Sequence, residues 1–166
     1  MPNWCMNNVS ITGDADTIAE IVTAAEENRL LEHLNPIGEW DYGKAVDAWG
    51  TKWDVQGADA DVCIMDEEFH QHQVNLNFYT AWGPPTEALR VAADRLSVQV
   101  ESHYFECGMC FVGYYNSETD EDEAYEYDFE NENWRDEIPE FLVEYWNLDD
   151  EYDNWVEWNE EEEELE

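Results

Sequence analysis

The sequence predicts an α+β fold, an antiparallel sheet with helices on one face and an acidic, aromatic-rich extension at the C-terminal end. Three observations lead there. The hydrophobic periods run β, α, β, β, α, β, β up to residue 116. The length of 166 residues suits one domain with an appendage. The charge is lopsided: residues 117–166 hold 24 Asp+Glu against Arg135 alone, a net −23 out of −37 for the whole chain.

Asn8 to Gly13 reads as a short strand ending in a turn. Asp14 or Asp16 is placed to cap a helix that turns Ile18, Ile21, Val22 and Ala25 inward. Residues 30–58 read as mixed, punctuated by Pro36, Gly38, Gly43, Gly50 and Gly57. Ala60–Met65 and Val74–Thr80 read as strands. In the second, Val74, Leu76 and Phe78 share one face while Asn75, Asn77 and Tyr79 share the other. Pro85 is expected to open a helix with Ala88, Leu89, Ala92 and Leu96 inward. Leu96–Cys107 and Met109–Tyr115 form a hairpin that turns near Gly108. The βαββαβ ferredoxin-like arrangement with added elements fits this order best; a two-layer α+β domain with another strand order is the alternative.

The body spans 1–116, an extension packed on it spans 117–159, and 160–166 is expected to fray. The extension is unlike a solvated acidic tail, because it carries ten aromatic residues. Tyr125, Tyr127 and Phe129 alternate with Glu126, Asp128 and Glu130, the pattern of a strand with rings on one face and carboxylates on the other. Ile138, Phe141, Leu142, Tyr145 and Trp146 follow helical spacing, with Pro139 in the first turn. Leu148, Tyr152, Trp155 and Val156 continue it. Each buried aromatic hides ~150–250 Å², enough to offset part of the repulsion among the acids.

Three motifs occur in order along the body: Met1-Pro2-Asn3-Trp4-Cys5-Met6-Asn7, Trp49-Gly50-Thr51-Lys52-Trp53-Asp54 and Phe78-Tyr79-Thr80-Ala81-Trp82-Gly83-Pro84-Pro85. With Asn35-Pro36-Ile37-Gly38 between them, the chain resembles the YubB-type ferredoxin-like domains of phage and conjugative-plasmid proteins over roughly residues 1–116. The resemblance implies a ferredoxin-like fold and a mobile-element origin, and little about activity. The acidic extension is a departure from the family's usual pattern.

The charge argues against binding nucleic acid or an anionic membrane, both of which select basic surfaces. No apolar run approaches the ~20 residues of a membrane span, and the start lacks the charged head and apolar core of a signal peptide. A cytoplasmic location with reduced cysteines is expected. Cys107-Gly108-Met109-Cys110 is a single CxxC; with His70 and His72 it suggests a zinc-dependent enzyme as a minor alternative, against a plain hairpin with two half-buried cysteines. The acidic run Glu118–Glu123 lacks the spacing of a calcium loop. Trp4, Trp49, Trp53 and Trp82 are expected mainly to pack the core and otherwise to line a pocket. Lys52, between two tryptophans, is expected to stack on a ring or pair with a carboxylate. No catalytic residue, metal or cofactor is assigned.

The expected function is therefore non-enzymatic. Carboxylates at alternate strand positions lie ~6.6 Å apart, and helical i, i+4 neighbours ~5–6 Å apart at Cβ. Successive phosphates on one DNA strand are spaced comparably. Glu126, Asp128, Glu130, Glu137, Glu140, Glu144, Asp149, Asp150, Glu151, Asp153 and Glu157 are the expected partner-binding residues of a DNA mimic. The expected partner is a basic, nucleic-acid-binding host protein of a defence or restriction system. An adaptor for another basic protein is the alternative, and exposed rings allow a homodimer.

Overall fold

The computed structural model describes residues 2–165. Its centre is a six-stranded antiparallel sheet in the order β2-β3-β1-β4-β5-β6. The strands are β1 (Trp4–Asp14), β2 (Asp59–Asp66), β3 (Gln71–Ala81), β4 (Gln99–Glu106), β5 (Phe111–Asn116) and β6 (Glu121–Glu126). Four of them, β2-β3-β1-β4, reproduce the split βαβ order of a ferredoxin-like domain. β5 and β6 extend that sheet as a meander on the β4 edge.

Alternation decides what each face meets. Val9 and Ile11 of β1, Val74, Leu76 and Phe78 of β3, and Val100 of β4 point to one face and are buried. Against them pack α1 (Ala15–Glu26) and α4 (Thr86–Arg95) through Ile18, Ile21, Ala88 and Leu89. Asp14 caps α1, its carboxylate accepting from the Asp16 N–H at 3.1 Å. These elements match the sequence reading, except that β1 starts at Trp4, four residues before Asn8, and that Val22 and Leu96, the latter capping α4, are only partly buried against the core.

The stretch 30–58, read as mixed, contains two helices, α2 (Leu30–Leu34) and α3 (Tyr42–Trp49). α2 is five residues long, too short to show a period. α3 contains Gly43 and buries only Ala45 and Trp49. Its ends are built by local chemistry: Asp41 accepts from the Lys44 N–H, and Gly50 takes the left-handed conformation at φ 83° that ends a helix.

The opposite face of the sheet is covered over β4–β6, with Tyr145 reaching as far as Asn8 of β1. A second core forms there from Phe105, Val112, Tyr127, Trp134, Ile138, Leu142, Val143 and Leu148. The covering elements are a 3-10 turn (Trp134–Glu137), α5 (Glu140–Trp146) and α6 (Leu148–Leu165). The extension thus supplies a third layer, so helices lie on both sheet faces once it is counted.

Two local expectations for this extension are corrected. The strand is Glu121–Glu126, not the Tyr125–Glu130 stretch. The chain leaves the sheet after Glu126, and a turn follows in which Asp128 accepts from the Glu130 N–H. Tyr127, Phe129 and Trp134 are thereby free to wrap into one ring cluster, with centroids 4.8–6.2 Å apart. In α5 the deeply buried residues are Leu142 and Val143, while Phe141 and Tyr145 remain 46% exposed. Helix α6 runs on through Glu160 to Leu165.

One glycine ties the added strands to the body. Tyr104 on β4 lies across Gly113 of β5 and donates its hydroxyl to the Glu123 carbonyl of β6 at 3.3 Å. A Cβ at position 113 would collide with the Tyr104 ring and the Glu123 carbonyl.

Candidate functional site: an anionic surface on an aromatic core

All eleven carboxylates expected to face a partner are exposed. Glu140 and Glu144 lie one helical turn apart on α5, and Asp149, Asp153 and Glu157 form an i, i+4 series on α6. Asp150 and Glu151 flank that series. Glu126 ends β6, Glu137 ends the 3-10 turn, and Asp128 and Glu130 sit in the turn between them. Asp128 and Glu130 are therefore not on a strand face with Glu126, as the alternation had suggested.

The helices hold these groups because their other side is nailed down. Leu142 and Leu148 are fully buried. Tyr152 and Trp155 of α6 stack at 6.1 Å and meet Phe129 at 5.5 and 6.0 Å. A pair of helices this acidic repels itself, and ring burial worth ~1.5–3 kcal/mol for a Phe-sized side chain is the opposing term.

Arg135 organises the centre of the surface. Its guanidinium takes Glu140 bidentately at 2.8 and 2.9 Å and Asp149 at 3.0 and 3.1 Å. It therefore clamps the start of α5 to the start of α6. Among the described residues, Glu140 and Asp149 are the members of the eleven that form ion pairs. Arg90 plays a similar part elsewhere: from α4 it reaches Asp120 at 2.9 Å and Asp122 at 2.8 Å, with its guanidinium 5.0 Å from the centre of the Tyr115 ring. Two acids of the loop weighed for calcium are thus taken by Arg90.

The cysteine–histidine set is not assembled. His72 lies opposite Gly13 on β1, whereas Phe105, just before the CxxC turn, lies opposite Met6. Seven residues of β1 separate those positions, roughly 23 Å at the usual strand rise. Among the described residues no group of three or more His, Cys, Asp and Glu is placed to hold a metal ion. Instead, buried Glu106 accepts the N–H groups of Gly108 and Met109 at 2.7 and 2.6 Å and shapes the turn. Burial and the nearby Glu106 push both the Cys107 and the Cys110 thiol upward from the ordinary range. Cys5, beneath the same turn, is pushed up to about 12 by the same causes.

The tryptophans divide. Trp49 is core, its indole N–H donating to the Asn35 carbonyl at 2.9 Å. Trp4, Trp53 and Trp82 are 48, 40 and 51% exposed, which corrects the expectation of core packing. The body is small, and aliphatic side chains of α1, α2 and α4 already fill its core. Lys52 stacks as expected, its Nζ 4.2 Å from the Trp53 ring centre. Asp54, unremarkable in sequence, caps α2 from a distance, accepting from the Leu31 and Glu32 N–H groups at 2.8 and 3.0 Å. No local signal could have shown a cap supplied from 23 residues away.

Among the described residues no helix is long and apolar enough to cross a membrane. A family model described as "Ferredoxin-like domain in Api92-like protein" matches residues 48–162. The match extends through most of α6, so residues 117–162 of the acidic extension lie inside the matched span. Comparisons with curated proteins and with solved structures return no match.

Proposed function

Since the chain belongs to the family of ferredoxin-like domains in Api92-like proteins, we propose that it uses this fold as a scaffold for a preorganised anionic surface that occupies the nucleic-acid-binding site of another protein. The reading is non-enzymatic. The observation that carries it is the exposure of all eleven carboxylates on elements anchored by a hydrophobic core of their own. A mobile acidic tail would lose its ordering entropy on binding; a packed one has lost it on folding.

The i, i+4 rows on α5 and α6 hold charges at a spacing comparable with a phosphate track. A basic groove would be drawn to them by long-range steering and then paired charge by charge. The YubB-type motifs of the body suggest a phage or conjugative-plasmid origin. On that origin, a host defence or restriction protein is the economical target, met in the host cytoplasm.

The test is affinity capture from a bacterial host lysate with duplex DNA as competitor. A nucleic-acid-binding protein should be retained, displaced by DNA, and released steeply as salt rises through the range where the Debye length falls below ~10 Å. The triple variant D150N/D153N/E157Q should lose capture while keeping its fold. A retained partner that DNA does not displace would replace mimicry with an adaptor role.

A further inference from the structure

Where β2 stops, β3 continues. The β2–β3 register ends at Asp59 opposite Asn77, so no β2 residue lies beside Phe78–Ala81. A cleft of about 560 Å³ opens at that edge, a volume typical of small-molecule sites. Its walls include Trp4, Trp53, Tyr79, Asp54 and Gln56, none from the acidic extension. Trp4 and Trp53 stand 6.4 Å apart between centroids, tilted by 37°, as two sides of an open clamp. Tyr79, on the outer face of β3, is 56% exposed.

The chemistry of the walls selects one class of ligand. Aromatic faces carry negative charge density and attract cations. Asp54 is the charged residue of the lining, and no Lys, Arg or His belongs to it. Its carboxylate is fixed in place by the Leu31, Glu32 and Val55 N–H groups. The chain's net charge of −37 repels phosphates and carboxylates and gathers cations. A hard metal ion needs several oxygen ligands, and one carboxylate among rings does not supply them. The Lys52 ammonium, 4.2 Å from the centre of the Trp53 ring, takes one face of that ring, so a ligand cation needs the other face together with Trp4 and Tyr79.

We propose that this cleft binds a small organic cation, a quaternary or methylated ammonium group held among the rings of Trp4, Trp53 and Tyr79. The shape accepts a bulky, weakly hydrated head, and ring faces take the place of its water shell.

The test is a titration of the full chain with choline, read on the indole N–H signals by NMR. The Trp4 and Trp53 signals should shift and saturate, while those of Trp134 and Trp146 stay put. The neutral isostere 3,3-dimethyl-1-butanol should bind at least about tenfold more weakly. Tyr79→Ala, at an exposed ring, should weaken choline binding with the fold retained; Trp53→Ala should abolish it. Equal binding of choline and its isostere would make the cleft a plain apolar pocket. Linear shifts spread over all indoles would leave only a counterion atmosphere. Either result overturns the proposal, as does unchanged affinity in both variants.

Discussion

The ring of Tyr145 lies flat on the imidazole of His103, with centroids 4.3 Å apart and planes 17° from parallel. Tyr145 belongs to α5 and His103 to β4, so the stack joins the acidic extension to the body. The Tyr145 hydroxyl also accepts from the Asn8 side-chain amide at 3.1 Å on the neighbouring strand β1. Two substitutions separate the contributions. Tyr145→Phe loses the hydrogen bond and should cost ~0.5–1 kcal/mol, the lower part of the usual range because the group is exposed. Tyr145→Ala loses the stack as well and should cost a further ~1 kcal/mol. Urea unfolding of the two variants checks the order.

The same stack makes stability depend on pH. Burial holds the His103 pKa below its usual value, with Glu101 opposing more weakly. Below about 6.5 the unfolded chain binds a proton that the folded His103 refuses. Its contribution therefore falls with acidification from there down to the folded pKa, and is flat above. His103→Phe keeps a ring under Tyr145 and removes this term. The wild type should thus lose more Tm than the variant between pH 7.5 and 5.5. Parallel losses would rule His103 out as the source.

Leu142 anchors α5 from within the second core and has no exposed surface. Leu142→Ala should destabilise by ~2–5 kcal/mol. Because the acids of α5 and α6 depend on that core for their positions, partner capture should weaken too, although no charge changes. Capture that survives with the near-UV signal of the ring cluster lost would separate binding from order and count against a preorganised surface.

Gly113 lies under Tyr104 on the path to the Glu123 carbonyl. Gly113→Ala should cost ~1–3 kcal/mol through overpacking. Hydrogen exchange should rise first in β6, the strand that the displaced Tyr104 hydroxyl no longer holds. Tyr104→Phe, which removes the hydroxyl and keeps the ring, should show the smaller version of that effect.

The thiols should react in a set order. Cys63 is exposed on β2 and should be modified first by a maleimide at pH 8. Cys107 and Cys110 follow, slowed by thiol pKa values raised beside Glu106, and Cys110 also by its partial burial. Cys5, fully buried with its pKa raised to about 12, should react only on unfolding. Fast modification of Cys110, the half-buried member of the pair, would show that the turn built by Glu106 opens in solution.

Much of the body was legible in order of residues because each signal was local. The alternation of Val74, Leu76 and Phe78, the Asp14 cap and the Pro85 helix start all act within a few positions. The α2–α3 region escaped that reading, since Asp54 caps α2 from the far side of α3 and the glycines there sit inside and at the end of a helix. In the extension, the composition showed that rings and acids share a folded unit. Where the strand lay was misread by four residues, because Tyr127 and Phe129 alternate like a strand but are drawn off the sheet to meet Trp134.

Composition and periodicity on their own determined the charge, its concentration in the last third, and the α+β class, since these depend on which side chains are present and how they repeat. Tertiary structure alone decided that Arg135 would clamp α5 to α6, that His70 and His72 would end far from Cys107 and Cys110, and that Trp4, Trp53 and Tyr79 would surround an open cleft. Each of those outcomes is a meeting of residues distant along the chain. Strand register and packing choose such meetings, and no local pattern encodes them.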